Sequence, residues 1–85
     1  MSLDLTQNPN LRFLFAEDNQ LVSINLSNNS LLETLSISNN QLSTIDVTSS
    51  GLLSFLSVNN NSISNIDLTQ NNSLVELYLI SNQLT

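Results

Sequence analysis

Residues 31–51 read LLETLSISNNQLSTIDVTSSG and residues 52–72 read LLSFLSVNNNSISNIDLTQNN. Laid one over the other, the two stretches keep an apolar residue at the same places and an asparagine at most of the same corners. Carrying the 21-residue frame outward aligns Leu11, Leu32, Leu53 and Leu74, then Leu14, Leu35, Leu56 and Leu77. It also aligns Ala16, Ile37, Val58 and Leu79, then Asn19, Asn40, Asn61 and Asn82. Self-similarity at a fixed period of this length marks stacked supersecondary units rather than a mixed globular domain. Each period divides again, because Leu32, Leu35, Ile37 and Asn40 read LxxLxLxxN and Leu42, Ile45, Val47 and Ser50 repeat that frame ten residues later. The unit is two nested halves of 10 and 11 residues.

Every LxL segment alternates inward apolar and outward polar residues, the period of a half-buried strand. Helix is disfavoured, since apolar spacing at i, i+3 and i+5 breaks the 3.6-residue period and Asn and Ser fill the turns. This predicts eight short strands, near residues 2–6, 12–17, 23–27, 34–38, 44–48, 55–59, 65–69 and 76–80. Alternate strands would belong to opposite faces of a flattened coil, stacked as two parallel four-stranded sheets.

The LxxLxLxxN frame resembles the leucine-rich repeat family, and over the whole chain it is similar to the nested bacterial class with a 21-residue repeat, LxxLxLxxNxLxxLDLxxNxx. The resemblance implies a solenoid acting as a protein-interaction module, in a bacterial surface or extracellular setting. The expected fold is an all-β leucine-rich-repeat β-solenoid of four coils, one domain over residues 2–85, with little or no helix. With strands in both halves at the same spacing of about 4.8 Å per coil, it should be nearly straight. Ala16 departs from the family at a Leu position, and Ser50 with Gly51 departs where other repeats place Asn8, Asn29 and Asn71.

The inward columns hold 24 apolar residues, from Leu3 and Leu5 to Leu74, Leu77, Leu79 and Leu84. Asn19, Asn40, Asn61, Asn82, Asn8, Asn29 and Asn71 stand where the chain turns inside the coil. There a carboxamide can satisfy backbone groups that no sheet ladder reaches, so these residues are read as a structural asparagine ladder. Gly51 is expected to supply a positive φ that other repeats reach with Asn or Ser.

Function must use outward positions, because packing consumes the others. Phe13, Phe15, Phe55 and Tyr78 all face outward on the first-half strands, with Leu31 and Leu52 at the adjoining corner, which makes this the candidate interaction face. The second-half strands carry Asp4, Asn25, Asp46 and Asp67 between columns of Ser and Thr. That flat polar face leaves two alternative readings, an ice-binding or a calcium-binding solenoid, although calcium turns want more glycine than the single Gly51.

Composition removes other classes. Leu, Asn and Ser supply 48 of the 85 residues, and the net charge is −6 with Arg12 as the one base. A chain of that charge does not neutralise phosphates, so nucleic-acid binding is excluded as a reading. There is no Cys and no His, hence no disulfide framework, no thiolate and no imidazole base. None of the serines has a His or Lys to activate it, so the chain reads as a non-enzyme without cofactor or metal. No apolar run reaches the length of a membrane span.

The ends carry the last expectation. Residues 2–85 number four periods, and neither end looks like the polar cap that solenoids usually carry. Leu3, Leu5, Leu77, Leu79 and Leu84 are therefore candidates for end association, giving a dimer or small homo-oligomer, unless the chain is a piece of a longer repeat protein.

Overall fold

The computed structural model describes residues 3–84. Met1, Ser2 and Thr85 lie outside the described residues, and with them the first residue of the expected strand 2–6 and both limits of the expected domain 2–85. Four strands form, β1 (Phe13–Phe15), β2 (Thr34–Ser36), β3 (Phe55–Ser57) and β4 (Glu76–Tyr78), one in each period of 21. They pair in parallel in the order β1-β2-β3-β4, and the register joins Leu14 to Leu35, Leu35 to Leu56 and Leu56 to Leu77. Residues at equal phase therefore stack directly, as the repeat requires. No helix occurs among the described residues.

The expectation of a second four-stranded sheet is not met, because the second-half segments make no ladder. Their backbone donors are used locally. The N–H groups of Thr6, Ser27, Thr48 and Thr69 each donate to Oδ1 of the residue two before, Asp4, Asn25, Asp46 or Asp67, at 2.9 Å. Two residues on, the N–H groups of Asn8, Asn29, Ser50 and Asn71 turn back to the carbonyls of Leu5, Leu26, Val47 and Leu68 at 3.0–3.1 Å. An Asx turn followed at once by a backbone turn takes two donors of each segment away from a neighbouring strand. A straight rod needs equal strand spacing on both sides, and that premise goes with the second sheet. The described chain measures 29 × 27 × 16 Å.

Of the 24 inward side chains, 13 are buried, among them Leu35, Ile37, Leu42, Leu56, Val58 and Ile63 at 0% exposure, and eight more pack partly buried against them. The remaining three are Leu3, Leu77 and Leu84, all on the first or last coil. A coil is covered only by its neighbours, so an inward residue on an end coil keeps one open side.

At the corners the carboxamides span coils. Asn61 donates through Nδ2 to the carbonyls of Val58 in its own coil and Ile37 in the preceding one, both at 3.1 Å, and accepts the N–H of Leu42 at 3.0 Å. Asn40 does the same with Ile37, Ala16 and Leu21, and Asn82 with Leu79, Val58 and Ile63. Asn19 binds only its own coil, at Ala16 and Glu17. In the other corner Asn29 donates to Leu5 and Asn8, and Asn71 to Val47 and Ser50, whereas the shorter Ser50 is fully buried with its hydroxyl unpartnered.

Gly51 does not supply a positive φ. That conformation belongs to Asp18, Asn39, Asn60 and Ser81, at φ 57–61°. Three of the four are Asp or Asn, whose side chains tolerate the left-handed region best after glycine.

Two stability measurements follow from this geometry. Asn61→Ala leaves the buried Leu42 N–H without an acceptor and removes one of the two carboxamide donors on each of the Ile37 and Val58 carbonyls, and should cost about 3 kcal/mol in urea unfolding, against roughly 1 kcal/mol for Asn19→Ala, which bonds only its own coil. Gly51→Ala should stabilise by about 0.4–1 kcal/mol in the same titration, because φ there suits any residue and the added Cβ meets only the Gln70 carbonyl at 3.8 Å.

Candidate functional site

The outward side chains of β1–β4 share one face because parallel in-register pairing puts equal phases side by side. Phe13 and Phe15 stand 53% and 66% exposed at one end and Tyr78 40% at the other, with Phe55 half-buried between them. The Phe55 and Tyr78 rings pack at 5.6 Å between centroids and 46° between planes, a tilted pair. The Arg12 guanidinium lies 5.4 Å from the Phe13 ring centroid and pairs through Nε with Glu33 of the next coil. The Tyr78 hydroxyl donates to Glu76 at 3.1 Å, and that carboxylate holds the phenol above its usual range. Leu31 and Leu52 are exposed on the adjoining corner.

Between the aromatic ends the face is recessed. Ser36 and Ser57 point outward in register with Phe15 and Tyr78 yet are buried, and Ser38 and Ser57 share a hydrogen bond of 2.8 Å. The result is a hydroxyl-lined floor between apolar rims.

Sequence reasoning passed over part of those rims. Val75 and Ile80, the most exposed large apolar side chains at 83% and 67%, flank β4 on either side. The signal was present, since Val75 shares a column with Arg12, Glu33 and Ser54, and Ile80 with Glu17, Ser38 and Asn59. An apolar residue in an otherwise polar column is the feature to look for. Among the end-association candidates, Leu3, Leu77 and Leu84 are open, whereas Leu5 is buried and Leu79 partly so.

The acidic column sits on the opposite side and is more than a solvated stripe. Asp4, Asp46 and Asp67 each accept a hydroxyl at 2.6 Å as well as the backbone N–H of the same threonine. These bonds, the hydroxyl first, hold all three carboxyls below the ordinary range, and the repulsion of Asp67 on Asp46 is a minor opposing effect. The threonine hydroxyls of Thr6, Thr48 and Thr69 are thus turned into their own carboxylates rather than arrayed toward solvent. Among the described residues no three acidic side chains converge on one point. The flat second sheet that the ice and calcium readings assumed does not form. No helix among the described residues is long and apolar enough to cross a membrane.

No protein-family model matches the chain, and no curated protein does. A solved structure does match, the functional domain of InlJ from Listeria monocytogenes, a leucine-rich-repeat internalin, with a TM-score of 0.95 and 32% identity over 99% of this chain. The chain is a leucine-rich-repeat protein. It spans 19% of the InlJ chain, a fraction of that array's length. The InlJ domain includes a cysteine ladder, whereas this repeat contains no cysteine and fills its buried polar corners with Asn and Ser.

The carboxylates set an acid limit on this leucine-rich repeat. Their folded pKa values lie below the unfolded ones, so the stability they contribute is present above about pH 4 and is lost as pH falls below it. The melting temperature should stay level from about pH 7 to 5 and then drop, and a variant with Asp46→Asn and Asp67→Asn should drop less steeply. Asn25 already holds the same two bonds, at 2.9 and 2.7 Å, with a neutral side chain.

Proposed function

We propose that the chain is a non-catalytic leucine-rich-repeat module that binds a protein partner on the face of β1–β4. The observation that carries this reading is the set of exposed apolar side chains on a sheet whose backbone is already paired: Phe13, Phe15, Tyr78, Val75 and Ile80 are held by a rigid scaffold. Large aromatic side chains with few rotamers lose little entropy on binding and supply most of the energy at such surfaces. Ser36 between them has a hydroxyl left for a partner's polar groups, whereas those of Ser38 and Ser57 are bonded to each other. A second association, between the open end coils, belongs to the same interaction function. The internalin neighbour supports an extracellular or surface-associated bacterial setting. Catalysis has no support in the residues, since no serine has an imidazole or amine base.

Panning a display library of secreted and surface domains against the chain tests the binding reading. Selected binders should lose at least ten-fold in affinity when Phe13, Phe15 and Tyr78 are together replaced by Ser, and keep it with Asp46→Asn on the opposite side. Binders indifferent to the triple substitution and sensitive to Asp46→Asn would move the site to the acidic column.

A further inference from the structure

One internal junction of the solenoid lacks a tie that the junctions on either side of it have. On the side without a ladder, Asn29 Nδ2 donates to the carbonyls of Leu5 and Asn8 at 3.2 and 2.9 Å, which fastens the second coil to the first. Asn71 Nδ2 donates to Val47 and Ser50 at 2.9 and 3.0 Å, which fastens the fourth coil to the third. Between the second and third coils the frame places Ser50, and the matching carbonyls are those of Leu26 and Asn29. Among the described residues these two carbonyls accept only the turn N–H groups of Asn29 and Leu32, at 3.0 and 3.2 Å. The Ser50 hydroxyl, at 0% exposure, has no partner there.

The backbone does not close in to make up the difference. Ser50 N–H reaches the Val47 carbonyl at 3.0 Å and Leu53 N–H the Ser50 carbonyl at 3.1 Å, against 3.0 and 3.2 Å in the turns of Asn29 and Asn71. Room is left at this junction instead. A cavity of about 150 Å³ lies between the second and third coils, lined by Ile24, Asn25, Leu26, Ser27, Asp46 and Ser49. Asn25, Ser27, Asp46 and Ser49 are exposed at its mouth and Leu26 is its buried wall. Leu26 carries one of the two carbonyls that a carboxamide at position 50 would take, and Ser49 precedes Ser50 in the chain.

We propose that this junction binds an ordered water in place of the carboxamide that Ser50 lacks. The water accepts the Ser50 hydroxyl and donates to the carbonyls of Leu26 and Asn29. About three bonds to otherwise unpartnered groups is the usual complement of a buried water, and the cavity is ample for one, which needs about 10–15 Å³. The exposed mouth gives the water a path to exchange with solvent. Every group involved lies between two described coils, so the site does not depend on what adjoins the chain at either end. It sits on the side away from β1–β4, so it stands or falls apart from the protein-binding reading.

A high-resolution crystal structure of the chain should show solvent density within hydrogen-bonding distance of Ser50 Oγ and of the Leu26 and Asn29 carbonyls together. Ser50→Asn should remove that density and raise the melting temperature by roughly 4–8 °C, because the carboxamide makes the bonds without immobilising a solvent molecule. Ser50→Ala supplies the sign that separates a wet corner from a dry one. With water bound, it removes one of the water's partners and lowers the melting temperature; in a dry corner it removes a buried unpartnered hydroxyl and raises it. No density at this position in the wild type, a Ser50→Ala variant that melts higher, or density that survives Ser50→Asn each overturns the proposal. Should a variant fail to fold, the wild type decides in solution: nuclear Overhauser transfer from a long-lived water should reach the Ser50 amide, and its absence rejects the site.

Discussion

Everything in this fold hangs on a carboxamide placed where two coils meet. A coil of 21 residues is too thin to enclose a core, so each must be held to the next by groups that a short strand cannot provide. Asn40, Asn61 and Asn82 provide them: one side chain closes its own turn, takes a carbonyl of the coil before and accepts that coil's N–H. The three-residue strands β1–β4 could not set the register alone. With the carboxamides in place, the leucines above and below stack phase on phase and exclude water.

The same device is applied with less completeness in the other corner. Asn29 and Asn71 donate across coils but leave their Oδ1 atoms buried without partners, and Ser50 between them is too short to donate at all. Burying an unpartnered polar atom costs of the order of 1–3 kcal/mol, so this side of the solenoid is the weaker one. It is also the side without a ladder, where Asx turns hold each segment to itself. Cohesion between coils is thus concentrated on the β1–β4 side, which is the side that presents the aromatic face. A rigid backing is what a binding surface needs.

The Asp-x-Thr segments show how one residue type can serve structure and be mistaken for chemistry. A regular column of carboxylates invites a metal, yet each Oδ1 is occupied by two donors of its own turn. The lowered acid constants of Asp4, Asp46 and Asp67 are the record of that turn chemistry.

The period of 21, the parallel stacking of equal phases and the inward leucines were legible in the chain, because each depends on spacing and spacing is what a sequence displays. The aromatic residues were also correctly read as outward, since alternation within an LxL segment decides the face. Three things were decided only by the tertiary structure. The second sheet was lost because Asp and Asn side chains compete with a neighbouring coil for the same N–H groups, a contest that alternation of apolar residues does not report. Positive φ fell to Asp18, Asn39, Asn60 and Ser81 rather than Gly51, because the coil's path fixes where the left-handed residue must stand. Ser36 and Ser57 were buried while Val75 and Ile80 were left open, because exposure on a sheet depends on the size of the neighbours in register and on whether a further coil lies alongside.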